Sequence, residues 1–186
     1  DAADPHRQLT LNPLGGMPDH IRAMVKDKWL GLAVIGYVYF WFAGALLQAN
    51  LVPFVSVTLD LGEAEMGYAQ VALAMGIGLG AVAAGILSRG KIEVGLIPLG
   101  ALGMTIFCAL LAMSAFSFPT VLALLFCLGV AGGVFDVPLA ATIQQRAPQH
   151  MRGAMLATVN MLTFIGIFGA GAFMWLLGDR NVSPYM

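Results

Sequence analysis

The sequence predicts an all-α membrane protein with five spanning helices, on three observations. Hydrophobic residues make up 59% of the 186 and charged residues 10%, against roughly 45–50% and about 25% in soluble domains. The apolar runs are continuous over the ~20 residues that a helix needs to cross a ~30 Å hydrocarbon core. Basic residues concentrate in alternate loops. A mean hydropathy of +0.85 also excludes a disordered chain, because disordered chains are polar and charged.

The first 28 residues, with Pro5, Pro13, Gly15, Gly16 and Pro18, read as a flexible linker on the cytoplasmic side. Five spans follow, at 29–53, 68–87, 94–115, 120–142 and 154–177. A barrel strand would alternate polar and apolar residues over about ten positions, and these runs do not. The first span is too far from the start, and followed by too many others, to be a signal peptide. Residues 179–186 read as a periplasmic loop cut short before a final span. The chain is therefore expected to be a piece of a longer membrane protein.

Charge sets the topology. Arg7, Arg22, Lys26 and Lys28 precede the first span, Arg89 and Lys91 follow the second, and Arg146 and Arg152 follow the fourth. The loop after the first span has Asp60, Glu63 and Glu65 and no basic residue, and the tail has only Arg180. Eight of the nine basic residues thus share one side. By the positive-inside rule that side is cytoplasmic. Trp29, Tyr68 and Trp175 stand at span ends, where amphipathic rings anchor at the interface.

Other compositional signals are weak. The net charge of −1 offers no basic field for nucleic acid. Cys108 and Cys127 fall inside apolar runs and read as small buried hydrophobes. His6, His20 and His150 are isolated, so no metal or cofactor is expected. No Gly-x-Ser-x-Gly elbow, metal-spaced His/Cys set or phosphate loop occurs, so an enzyme active site within the chain is not expected.

The 23 glycines are about 12% of the chain, against a usual ~7%. Gly36 and Gly44, Gly76, Gly80 and Gly85, Gly129, Gly132 and Gly133, and Gly166, Gly169 and Gly171 cluster within spans. Small faces let membrane helices approach closely, whether for static packing or for sliding. Pro98 and Pro138 are expected to loosen or bend their helices.

Polar residues inside spans are the candidate site. Asp136 is the one acid deep in a span, about 9 Å from its Thr142 end at 1.5 Å per residue. A carboxylate there costs roughly 2.5–3.5 kcal/mol on insertion scales, which makes it a functional candidate. Gly129, Gly132, Gly133 and Ala140 share its side of the helix, so it should face other helices or a cavity. It either meets a cationic group or a proton, or snorkels to the cytoplasmic interface, or pairs with Arg89, Lys91 or Arg152 as a structural lock. Asn160 should stand at a similar height, and Gln48 and Asn50 lie near the outer end of the first span. These amides suit substrate contact or interhelical hydrogen bonds. Tyr37 and Trp41 form one aromatic face. The third span, with only Thr105, Cys108 and Ser114, suits a peripheral support.

Several segments carry a family resemblance. The run from Gly85 to Met104, with Arg89, Lys91 and Glu93, is similar to the basic loop signature of the major facilitator superfamily, although Arg89 stands where an acid is expected. Phe40 to Gln48, Lys91 to Met104 and Val137 to Asn160 resemble the second half of bacterial lysophospholipid transporters, including those fused to an acyltransferase and an acyl-carrier-protein synthetase. Ala140 stands where Asn is expected.

The resemblance implies that the spans are helices seven to eleven of a twelve-helix fold, with the first 28 residues ending the linker between halves. It implies an N-terminal half and a last helix outside this chain. It implies transport of a lysophospholipid such as lysophosphatidylethanolamine across the bacterial inner membrane by alternating access, with the first and fourth spans lining the cavity. Gly85, Arg89, Lys91, Glu93, Arg146 and Arg152 would belong to the cytoplasmic loops that move in that cycle. The alternatives are a drug or metabolite exporter on the same fold, or the membrane anchor of a fused acyltransferase and synthetase.

Overall fold

A computed structural model describes residues 17–88, 92–113 and 117–179, with side chains through Leu177. The described residues are helical, with short turns between. The order is α1 (Met17–Lys26), α2 (Lys28–Pro53), a π-helical turn (Phe54–Thr58), α3 (Glu63–Ser88), α4 (Leu96–Leu111), α5 (Phe118–Arg146), a 3₁₀ turn (Gln149–Met151) and α6 (Arg152–Asp179). Four of these helices are long and apolar enough to cross a membrane, and α4 is a shorter apolar helix.

The ends differ from the sequence expectation for identifiable reasons. The first span runs on past Pro53 through the π turn, which closes where the Leu59 N–H donates to the Phe54 carbonyl at 3.1 Å. Asp60 then reverses the chain at φ 53°, a left-handed conformation that Asp tolerates better than most residues. Helix α3 starts five residues before the expected 68, with Glu63 and Glu65 in its first turn, where carboxylates offset the positive end of the helix dipole. Helix α4 has 16 residues, about 24 Å at 1.5 Å each, and is shorter than the expected 94–115. Its Pro98 is the third helical residue. That position has no intrahelical N–H bond to lose, so the proline removes none from α4. Pro138 does lie inside α5, which continues through it.

Residues 17–26 also depart from the linker expectation, because they form α1. Met24 is buried in the core at the charged end of the bundle, with Leu30, Ala33, Leu139, Ile143, Met155 and Val159. The His20 Nδ1 lies 2.9 Å from the Thr158 hydroxyl of α6. Only one residue separates α1 from α2. This is Asp27, whose Oδ1 accepts from the Trp29 N–H at 3.0 Å and the Leu30 N–H at 3.3 Å. It caps α2, and it also accepts the Arg146 guanidinium of α5 at 3.0 Å. Loss of water pushes the Asp27 carboxyl up. The Leu30, Arg146 and Trp29 donors together outweigh that effect and hold it below its ordinary value of 3.8.

Helix directions follow from which residues meet. Gly36 and Phe40 of α2 face Leu139 and Gly132 of α5, so those helices are antiparallel. Gly100 and Gly103 of α4 meet Phe135 and Ala131, again antiparallel. Gly76 and Gly80 of α3 meet Phe126 and Val130 of α5, and Val38 and Asn50 of α2 meet Gly166 and Met174 of α6, so both pairs are parallel. The five helices thus alternate in direction, as successive crossings require. Arg22, Lys26, Lys28, Arg146 and Arg152 come to one end and Asp60, Glu63 and Glu65 to the other, with the Asp27–Arg146 ion pair at the basic end.

Helix α5 is central, buried on the sides that meet α2, α3 and α4. Helix α4 packs on α5 alone among the well-contacted helices, and exposes Leu99, Leu102 and Ile106. That one-sided packing agrees with a peripheral support. It also corrects the reading of Cys108, which is exposed on α4 rather than buried, while Cys127 is half-buried.

Candidate functional site: an open face of α2, α5 and α6

The seam between α3 and α5 positions the site. A Cβ on Gly76 would run into the Phe126 carbonyl, and one on Gly80 into the Val130 carbonyl. From the other side, Gly129 lies against the Leu73 carbonyl and Gly133 against the Ile77 carbonyl. Backbone meets backbone because no side chain intervenes. Ala84, fully buried, continues the row four residues after Gly80. Gly85 does not, and neither do Gly44, Gly169 and Gly171: a Cβ on any of these would meet open space.

Asp136 follows from that register. It lies four residues after Gly132, which faces Phe40 of α2, and three after Gly133, which faces α3. Its side chain therefore projects between α2 and α3. The residue is half-buried, and its Oδ1 is buried with no hydrogen-bond partner among the described residues. A carboxylate oxygen removed from water without a donor is costly, and a cation or a proton relieves the cost. Arg152, one partner considered for a structural lock, makes no ion pair among the described residues. Arg89 and Lys91, the other two, lie outside the described residues.

Helix α2 turns Gly36 and Phe40 toward α5 and Val38 and Phe42 toward α6. Tyr37, Trp41, Gly44 and Gln48 share the face between, at spacings of four, seven and eleven residues. The Tyr37 and Trp41 rings meet edge to face at 6.3 Å, and Trp41 is 40% exposed. Gln48 donates its amide to the Gln70 side chain of α3 at 3.3 Å, which places this face on the α3 side, the side of Asp136. On α6, Val159 and Gly166 turn toward α2, and Leu162 and Ile165 toward a separate apolar groove. Asn160 is exposed on the side opposite that groove, and so looks onto the same open face. Asp136, Asn160, Gln48, Tyr37 and Trp41 are thus brought to one surface, and none of the described hydrogen bonds joins Asp136 to Asn160.

Asn50 is occupied differently. Its amide donates to the Leu46 carbonyl at 2.9 Å and approaches the Met174 sulfur at 3.5 Å, so it holds α2 against α6. Glu93 sits in the turn before α4, its carbonyl accepting from the Leu96 N–H at 3.1 Å. Sequence reasoning missed Gln70 and Asp27. Gln70 carries no local signal, because its significance is its partner on another helix. Asp27 had one: an Asp directly before a long apolar run is an N-cap signature.

One open face thus carries an acid, two aromatic rings and two amides, on helices of which α3 and α5 pack through glycine. The sequence profile of the Major Facilitator Superfamily matches residues 2–171, and the chain belongs to that family. It is 29% identical over 172 residues to the lysophospholipid transporter LplT of Citrobacter koseri, covering 82% of this chain and 43% of that protein. It is 34% identical over 157 residues to LplT of Klebsiella pneumoniae, covering 79% and 38%. The Escherichia coli O157:H7 protein of that name is 32% identical over 144 residues, covering 73% and 36%. The chain thus spans about two fifths of the length of these relatives. No solved structure matches it significantly.

Proposed function

We propose that this chain is part of a secondary transporter that moves lysophospholipid across the bacterial inner membrane by alternating access. The similarity to lysophospholipid transporters names the substrate class. The observation that carries the mechanism is the orphaned Asp136 carboxylate on the open face of α2 and α5. The ammonium of an ethanolamine headgroup is a cation of the right size to satisfy it. Trp41 and Tyr37, on the same face, offer ring surfaces to the same ammonium, since cations are attracted to aromatic faces.

In such transporters two halves rock about a site near the midplane. The glycine seam joins α3 to α5 as one rigid unit, so the rocking body includes Asp136. The basic end faces the cytoplasm, with Arg146, Arg152, Arg89, Lys91 and Glu93 on that side; Gly85, expected in the loop, lies in the last turn of α3 before it. Residues 1–28 then connect this half to the other, and a further helix completes it. These 186 residues wall one side of the pathway, so transport belongs to the whole polypeptide.

The test is Asp136→Asn in the complete transporter, assayed by uptake of lysophosphatidylethanolamine and of lysophosphatidylglycerol into proteoliposomes. Loss of an ion pair in a desolvated site predicts at least a tenfold fall for the ethanolamine lipid, about 1.4 kcal/mol or more. The glycerol lipid should change little. Equal uptake of both lipids by wild type and variant would remove Asp136 from the headgroup site.

A further inference from the structure

Helix α1 has three faces, and its packing uses only one. His20, Ala23 and Met24 turn inward: Met24 is 3% exposed, and His20 meets Thr158. Ile21 and Val25, four residues apart, form a second face and are 37% and 74% exposed. Arg22 and Lys26, also four apart, are exposed and follow by one position each. At about 100° per residue, the apolar pair lies roughly a quarter turn from the core face and the cationic pair a quarter turn beyond it. A helix docked on a bundle in water needs an inner face and a polar outer one. The extra apolar stripe has no role there.

The surroundings identify what covers it. Trp29, four residues after Val25, is 60% exposed, and Leu32 and Ile35 beyond it are 51% and 68% exposed on a helix that crosses the membrane. The stripe thus stands where α2 enters the hydrocarbon. Charge agrees: the one acid on α1, Asp19, pairs with Arg22 at 3.7 Å, and Asp27 is taken by Arg146. Lys26 and Lys28 make no ion pair among the described residues.

We propose that α1 lies in the plane of the bilayer surface, with Ile21 and Val25 in the upper acyl region and Arg22, Lys26 and Lys28 against the phosphates of anionic phospholipid. An apolar stripe flanked by cations is the pattern of an interfacial helix, and juxtamembrane cations are drawn to anionic leaflets. The inward contacts of Met24 and His20 then tie this lipid-seated helix to α2 and α6. The proposal does not depend on which solute is carried.

Spin labels at Val25→Cys and, separately, Lys26→Cys, placed in the complete transporter free of other reactive cysteines, test it in phosphatidylethanolamine–phosphatidylglycerol vesicles. The ratio of collisions with oxygen to collisions with a nickel chelate should be several-fold higher at position 25 than at 26. Equal access of the chelate to both would place α1 in water and overturn the proposal. Exclusion of both reagents from position 25 would show a protein cover and overturn it too. Neutralising Arg22, Lys26 and Lys28 to Gln together should lower the oxygen preference at position 25. An unchanged preference would overturn the anionic-lipid contact.

Discussion

The bundle is joined by two parallel helix pairs, and they are built in opposite ways. Between α3 and α5, Gly76, Gly80, Gly129 and Gly133 bring backbone against backbone. Between α2 and α6, side chains keep the helices further apart. Val34, Ile35, Val38, Tyr39, Phe42, Leu162, Ile165 and Gly166 line an open apolar groove of about 460 Å³. In lipid, where apolar side chains gain little by leaving the solvent, contact area and close approach decide which pair is tight. The first pair is a tight seam and the second a looser contact with room beside it.

The largest expected effect comes from breaking the seam. Gly133→Val puts side-chain atoms into the Ile77 carbonyl and the Ala81 N–H, and backbone cannot move aside as a rotamer can. Overpacking of this kind costs roughly 1–3 kcal/mol or more. The variant should lose folded, monodisperse protein in detergent and melt well below the parent. Gly78→Ala in α3, on the other side of the seam, meets nothing within 4 Å. Removing a helical glycine there should be neutral or stabilising by up to about 1 kcal/mol. Equal damage by both variants would mean that the seam is not what holds α3 to α5.

A smaller effect is expected at the α2–α6 pair. A Cβ on Gly166 would stand 3.1 Å from the Val38 Cγ1, a side-chain atom beside open space. Gly166→Ala should therefore cost under about 1 kcal/mol, because the neighbour can turn away. Thermal melting of the two alanine variants Gly166→Ala and Gly133→Ala, side by side, sharpens the contrast: only the second should fall markedly.

The smallest effect concerns the charged end, which both pairs share. Arg146→Gln removes an exposed ion pair and should change stability little. Asp27→Ala removes the same pair and the α2 cap, and should cost more. Because the Asp27 carboxyl titrates below its ordinary value, its contribution is fully present above pH 3.8 and is lost as pH falls below that value. The gap in melting temperature between the parent and Asp27→Ala should therefore be constant near neutrality and close in strong acid.

Much of this architecture was readable beforehand. The spans, their alternation and the one-sided basic residues follow from hydropathy and charge, which each residue carries whatever its neighbours. The peripheral character of α4 was visible in its lack of polar residues. The site was legible in part: Asp136, Asn160, Gln48, Tyr37 and Trp41 stood out as polar or aromatic groups within apolar runs. Their convergence did not, since it depends on how far each helix turns about its own axis. Gly85 and Gly76 look alike in the sequence, yet one faces open space and the other a carbonyl. The start of the chain misled for a related reason. Its prolines and glycines suggest a linker, but they precede residue 19, and the apolar positions after them fit a helix only once the bundle offers Met24 a place.

By itself the sequence determined the solvent of this protein, its helical class and the chemistry stationed within its apolar runs. Those quantities sum over single residues exchanging water for lipid. The tertiary structure alone decided which glycines touch, that Asp136 is left without a partner among the described residues, and that α1 packs by one face. Each of these is a relation between helices, set by rotation and close approach, which a pattern along one helix does not contain.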